Sequence, residues 1–158
     1  MNGRFPLSTF MRLFPDDESC LEEIRRLRYP RGIFCILCNM TTRHYKLAYR
    51  MAYVCKFCRS QVYPLSGTIF EKSTTPLRVW FFAMFLLIHT YGRISASQLK
   101  RELGVTYKTA WRIRNLLLRL MQQNNGDLFI DEEDHTQVRK WIFFNKLELK
   151  VVQREKEQ

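Results

Sequence analysis

Three observations predict an α+β fold. Four cysteines form two C-x2-C pairs, Cys35/Cys38 and Cys55/Cys58, separated by sixteen residues rich in β-formers. A nearly uninterrupted apolar run, Val79 to Ile88, is followed by two shorter amphipathic stretches that meet at Gly104. The segment before the cysteines, "DDESCLEEIRRL", has helical spacing and an acidic start. The expected architecture is a small, mainly-β zinc ribbon. An N-terminal helical segment flanks it and a three-helix helix-turn-helix domain follows. The expected boundaries are 1–31 for the helical segment, 32–72 for the ribbon, 73–123 for the helix-turn-helix domain and 124–158 for a remnant with a divergent tail.

In the first segment Asp16 or Asp17 can cap a helix that carries Cys20, Ile24 and Leu27 on one face, so Cys20 is expected in the core. In the second, each C-x2-C pair lets one tight turn aim two sulfurs at a common point. Two such knuckles complete a tetrahedral thiolate shell, which suits one structural Zn2+ held by Cys35, Cys38, Cys55 and Cys58. Four sulfurs leave no open position for water, so no zinc chemistry is expected. Two disulfides or four buried thiols are the alternatives. The spacer predicts a hairpin, with strands at Thr41 to Leu47 and Met51 to Val54 and a turn at Ala48-Tyr49-Arg50. His44 lies in this spacer and is expected as a hairpin or surface histidine, not a ligand.

The third segment opens with a threonine cap and Pro76 in the first turn of a helix that closes at Gly92. This helix is apolar nearly all round and should be central. Ser95 can cap a short helix to Leu103, Gly104 can end it, and Thr106 can cap the next. At 100° per residue, Lys108, Arg112, Asn115 and Arg119 form one stripe and Ala110, Ile113, Leu117 and Leu120 the opposite one. A recognition helix needs such an arrangement, one face docked on its own domain and the other in the major groove. Tyr107, Lys108, Thr109 and Arg112 stand near the N-terminal end, where base edges are usually met. Arg can pair with guanine and Asn with adenine. Arg119, Lys100 and Arg101 suit phosphates, which position without specifying. The plainer reading is an amphipathic helix with a solvated basic face. Trp111 falls between the stripes, and periodicity does not assign it to either.

The net charge of the 158 residues is +11. From Ile24 to Gly126 there are eighteen lysines and arginines against only Glu71 and Glu102. Such a middle implies a polyanionic partner, most often nucleic acid, here double-stranded DNA. Pro6, Arg12 and Pro15 interrupt any leader-like apolar run, and ten apolar residues are about half of a membrane span. The expectation is a soluble intracellular protein with no membrane partner, cytoplasmic and nucleoid-associated if bacterial, nuclear if eukaryotic.

The strings "RYPRGIFCILCN", "AYVCKFCRSQVYPLSGTIFEKSTTPLRVWFFAMFLL" and "ASQLKRELGVTYKTAWRIRNLL" resemble, in order and spacing, the N-terminal part of a bacterial insertion-sequence transposase family related to Merlin-type elements. The resemblance spans roughly Phe10 to Asp131 and implies a zinc ribbon, a helix-turn-helix and then an RNase-H-like domain with a DDE carboxylate triad. The first knuckle departs from the family's usual Cys-Pro-x-Cys-Gly, reading Cys35-Ile36-Leu37-Cys38-Asn39. "GDLFIDEE" matches the approach to the first triad position and places Asp131 there. After Asp134 only Glu148, Glu155 and Glu157 remain, too few and too near for a two-metal site, so Mg2+ is expected only if a complete catalytic domain is supplied. The tail from 135 reads equally as strand or helix. The leading expectation is a truncated transposase that binds terminal inverted repeats without strand transfer of its own. It would act as a homo-oligomer or in mixed oligomers with a full-length transposase. The alternatives are an active enzyme completed by a second frame, or a zinc-stabilised protein-interaction module.

Overall fold

The computed structural model describes residues 6–123. The expectations for Asp131 and for 124–158 lie outside the described residues. Two helices come first, α1 (Leu7–Leu13) and α2 (Asp17–Arg28). Asp16 caps α2: its carboxylate accepts from the Ser19 N–H at 2.8 Å, and Ser19 reciprocates to the Asp16 N–H. Asp17 and Glu18 in the first turn and Arg25, Arg26 and Arg28 in the last complement the helix dipole. Cys20, Leu21 and Ile24 are fully buried on one face, each apolar side chain worth about 1.5–3 kcal/mol.

Five short strands follow: β1 (Ile33–Cys35), β2 (Met40–Thr42), β3 (His44–Lys46), β4 (Tyr53–Cys55) and β5 (Gln61–Val62). They form a two-stranded antiparallel sheet, β1-β2, and a three-stranded one, β3-β4-β5. The expected single strand from Thr41 to Leu47 is therefore corrected: it breaks at Arg43 into β2 and β3. Each knuckle sits in a hairpin of its own, Cys35 opposite Met40 in one and Tyr53 opposite Val62 in the other. The chain must change partner to bring the two hairpins together, and it does so at Arg43, whose carbonyl accepts from the Lys56 N–H at 2.9 Å. The second expected strand starts later than Met51, because Leu47 and Ala52 close the turn with a 2.9 Å backbone bond.

Three helices complete the described residues: α3 (Leu77–His89), α4 (Ala96–Leu103) and α5 (Tyr107–Gln123). The threonine cap expected for α3 is absent. Pro76 itself holds the cap position, with no side-chain cap, and the Thr75 hydroxyl accepts instead from Arg112 of α5 at 3.2 Å. Beyond the C-terminal end of α3, Gly92 (φ +72°) donates to the Leu87 carbonyl at 2.8 Å. Ser95 and Gln98 form a reciprocal cap on α4, and Gly104 ends it in the left-handed conformation at φ +65°. Thr106 caps α5 through the Thr109 N–H at 3.3 Å.

One buried cluster runs through all of these segments. Phe10 of α1 packs on Phe82 and Phe85 of α3, and Phe14 meets the edge of Phe81. The Arg78 N–H donates to Asp17 at 2.8 Å and its Nε to the Phe14 carbonyl at 3.0 Å. On its other side α2 holds the strands. Tyr53 donates to Glu22 at 2.6 Å, Lys46 pairs with Glu18 at 2.6 Å, and Arg28 donates to the Pro64 and Ser66 carbonyls. The molecule is α+β, with five helices and two small antiparallel sheets among the described residues. No helix among them is long and apolar enough to cross a membrane.

Candidate metal centre and basic helix face

The Sγ atoms of Cys35, Cys38, Cys55 and Cys58 all lie within 4.8 Å of one another. Cys35 stands 3.4 Å from Cys58 and Cys38 stands 3.9 Å from Cys55, and all four are free thiols, not disulfides. A tetrahedral ion with sulfurs at about 2.3 Å separates them by about 3.8 Å, so the cluster has the dimensions of a four-thiolate metal site. It is compatible with a zinc ribbon. Cys35 and Cys55 are buried strand-end residues, whereas Cys38 and Cys58 are carried on the return of each turn. Asn39 and Arg59, the residues after each second cysteine, both adopt positive φ, at 53° and 63°. The two knuckles thus repeat one backbone device, which Asn tolerates better than Arg.

Hydroxyls support the sulfurs. Ser60 lies 3.3 Å from Cys35 and 3.1 Å from Cys58, and Thr42 lies 3.1 Å from Cys55. The Thr42 hydroxyl, aided by the Cys58 and Phe57 N–H groups and opposed by burial, brings the Cys55 thiol down to about 5. Ser60 lowers Cys35, while the neighbouring sulfurs, Cys58 foremost, push Cys38 up to about 12. Donors aimed at sulfur stabilise thiolate, the form that ligates metal. His44 stands opposite Cys55 in β3, yet it is not one of the clustered ligands. Its Nδ1 lies 3.0 Å from the Thr42 carbonyl, and its Nε2 is buried with no hydrogen-bond partner. Cys20 is fully buried far along the chain in α2, where burial foremost pushes its thiol up to about 12.

The second group of expected site residues lies on α4 and α5. Ala110, Ile113 and Leu117 are buried, and Leu120 is half-buried. On the other side Lys108, Arg112 and Arg119 are exposed, as are Lys100 and Arg101 on α4, and Asn115 is half-buried. Thr109 is half-buried, and its hydroxyl is engaged by Thr106 at 3.0 Å within the helix cap. Arg114 is turned away from the others, its Nε donating to the Ile94 carbonyl at 2.6 Å. Tyr107 and Trp111 are each 52% exposed, so Trp111 belongs to the outer face. Sequence reasoning left Trp111 open and passed over Thr42 and Ser60. A hydroxyl two residues beyond the last cysteine was a usable signal for Ser60, but Thr42 is found only through the strand register.

The chain is 31% identical over 135 residues to an uncharacterized protein in transposable element ISH50 of Halobacterium salinarum. The match covers 80% of this chain and 43% of that protein, so the chain spans less than half the length of its relative. No protein-family model and no solved structure matches. What the likeness and the cysteine cluster establish together is the class: an insertion-element-associated protein with a four-cysteine metal-binding arrangement.

Proposed function

We propose that this chain is a zinc-dependent DNA-binding module of an insertion-sequence transposase, and that it recognises the terminal inverted repeats of its element. The observation that carries the reading is the outer face of α5. A short capped helix, a left-handed Gly104 and a second capped helix present Lys108, Arg112, Asn115 and Arg119 together, backed by a buried Ala110-Ile113-Leu117 stripe. Those are the requirements of a helix-turn-helix whose second helix lies in the major groove. Lys100 and Arg101 flank it as phosphate contacts. The likeness to an insertion-element protein supports the same direction. The ion is zinc, because four thiolates at tetrahedral spacing select a soft, closed-shell cation that closes the site without chemistry.

Strand transfer is assigned to a complete catalytic domain, to which Asp131 would contribute the first carboxylate, and not to the described residues. The test is selection from a random-sequence duplex library followed by gel shift of the selected duplex at physiological salt. A defined consensus is expected, with binding lost in Lys108→Glu and Arg112→Glu. Equal competition by random duplex, together with unaltered binding by both variants, overturns the reading.

A further inference from the structure

Tyr107 and Trp111 are four residues apart on α5, one helical turn, and both rings are 52% exposed. At 100° per residue Trp111 lies 60° from Lys108 and 40° from Asn115, so the indole stands inside the cationic face and not at its edge. The rest of the face is already spoken for. Arg112 is held toward α3 by its bond to Thr75, Arg114 toward the α3–α4 connection by its bond to Ile94, and the Thr109 hydroxyl is engaged by the cap. Trp80, by contrast, is 2% exposed and its indole N–H donates to Ser73 at 3.0 Å. A tryptophan of this fold is therefore buried and hydrogen-bonded where structure needs it. Trp111 has neither feature among the described residues.

Large apolar surface on a face whose other groups are cationic and amide needs a target that is anionic at its rim and apolar at one point. A duplex offers one such target in the major groove: phosphates on both sides and, at each A·T pair, the C5-methyl group of thymine. We infer that Trp111, flanked by Tyr107, reads thymine methyl groups and so sets the sequence preference of this helix, with Lys108 and Arg119 fixing its register on the backbone. The inference rests on the proposed helix-turn-helix reading and deepens it.

Replacing thymine by uracil removes the methyl and leaves every hydrogen-bonding group in place, so the test uses the consensus duplex selected from a random library and its deoxyuridine-substituted versions. Wild-type protein should bind about three- to fivefold more weakly when one particular thymine in the consensus is replaced, the effect of losing one buried methyl contact. Trp111→Ala should bind both duplexes equally, and Trp111→Phe should keep part of the preference. Unchanged thermal melting of the half-exposed Trp111 variants would show that the fold is intact. A consensus without thymine, or uracil tolerated everywhere by wild type, overturns the inference while leaving the helix-turn-helix reading standing, as does a Trp111→Ala variant that still discriminates. Failure to select any consensus, with Lys108→Glu binding unchanged, overturns both.

Discussion

Thr42 and Ser60 do for the sulfurs what no cysteine can do alone: they donate to thiolates inside a small, partly closed site. Groups that orient metal ligands are commonly worth 10- to 100-fold in affinity. Thr42→Val keeps the shape of the side chain and removes the donor, so zinc affinity should fall about tenfold, measured by competition with a chelator of known strength. Equal affinity would show that the hydroxyl is incidental. Gly104 offers a second residue-scale test. Nothing lies within 4 Å of a Cβ built there, so Gly104→Ala meets only the left-handed backbone cost of about 1–2 kcal/mol, readable in a urea titration. The four ligands were legible from spacing alone, since two C-x2-C turns have few other uses. The supporting hydroxyls were not, because a partner from another strand is found by register, and register depends on where the strands break.

Among the elements, α2 decides how the rest sit. Its Glu22 carboxylate lies below its ordinary value, chiefly because Arg25 donates to it, with Tyr53 adding a second bond and burial opposing. A depressed carboxylate contributes stability that is present above its unfolded value, 4.5, and lost as pH falls through the lower folded value. Glu22→Gln should therefore flatten the acid limb of the stability profile below about pH 4.5, by a modest amount, since Glu22 is only partly buried. An unchanged acid limb would argue that the joint between α2 and β4 contributes nothing. The helix ends were legible wherever a side chain caps them, at Asp16, Ser95, Gly104 and Thr106. They were missed at Thr75, because a threonine beside a proline suits a cap and also suits a long-range acceptor. The hairpin was legible as a hairpin but not as two, since apolar alternation does not record a change of partner.

At the scale of the whole molecule, strands and helices share one buried cluster, with Ile33 and Tyr53 in contact with the residues of α2 and α3 that form its centre. Removing the ion should therefore be felt well beyond the knuckles. Chelation, or Cys38→Ser, should lower the helical melting temperature by on the order of 10 °C or more, because ligation supplies much of a small ribbon's folding free energy. Helical melting that ignores chelator would mean that the cluster stands without the metal. The α+β composition was legible from local patterns, whereas the role of α2 as the piece that touches both neighbours was not, because nothing in its own spacing says which surfaces lie 30 or 60 residues ahead.

The bond from Arg78 back to Phe14 spans 64 residues, and the aromatic packing of Phe10 and Phe14 spans similar lengths of chain. On a ribosome adding about 5–20 residues per second, Phe10, Phe14, Leu21 and Ile24 would emerge roughly 3 to 13 seconds before α3 exists to receive them. The order of synthesis thus leaves an adhesive helix pair waiting while the metal-binding strands are made. Early zinc capture would give that pair its first surface to rest on, and starvation for the ion during translation would leave it exposed to chaperones and proteases.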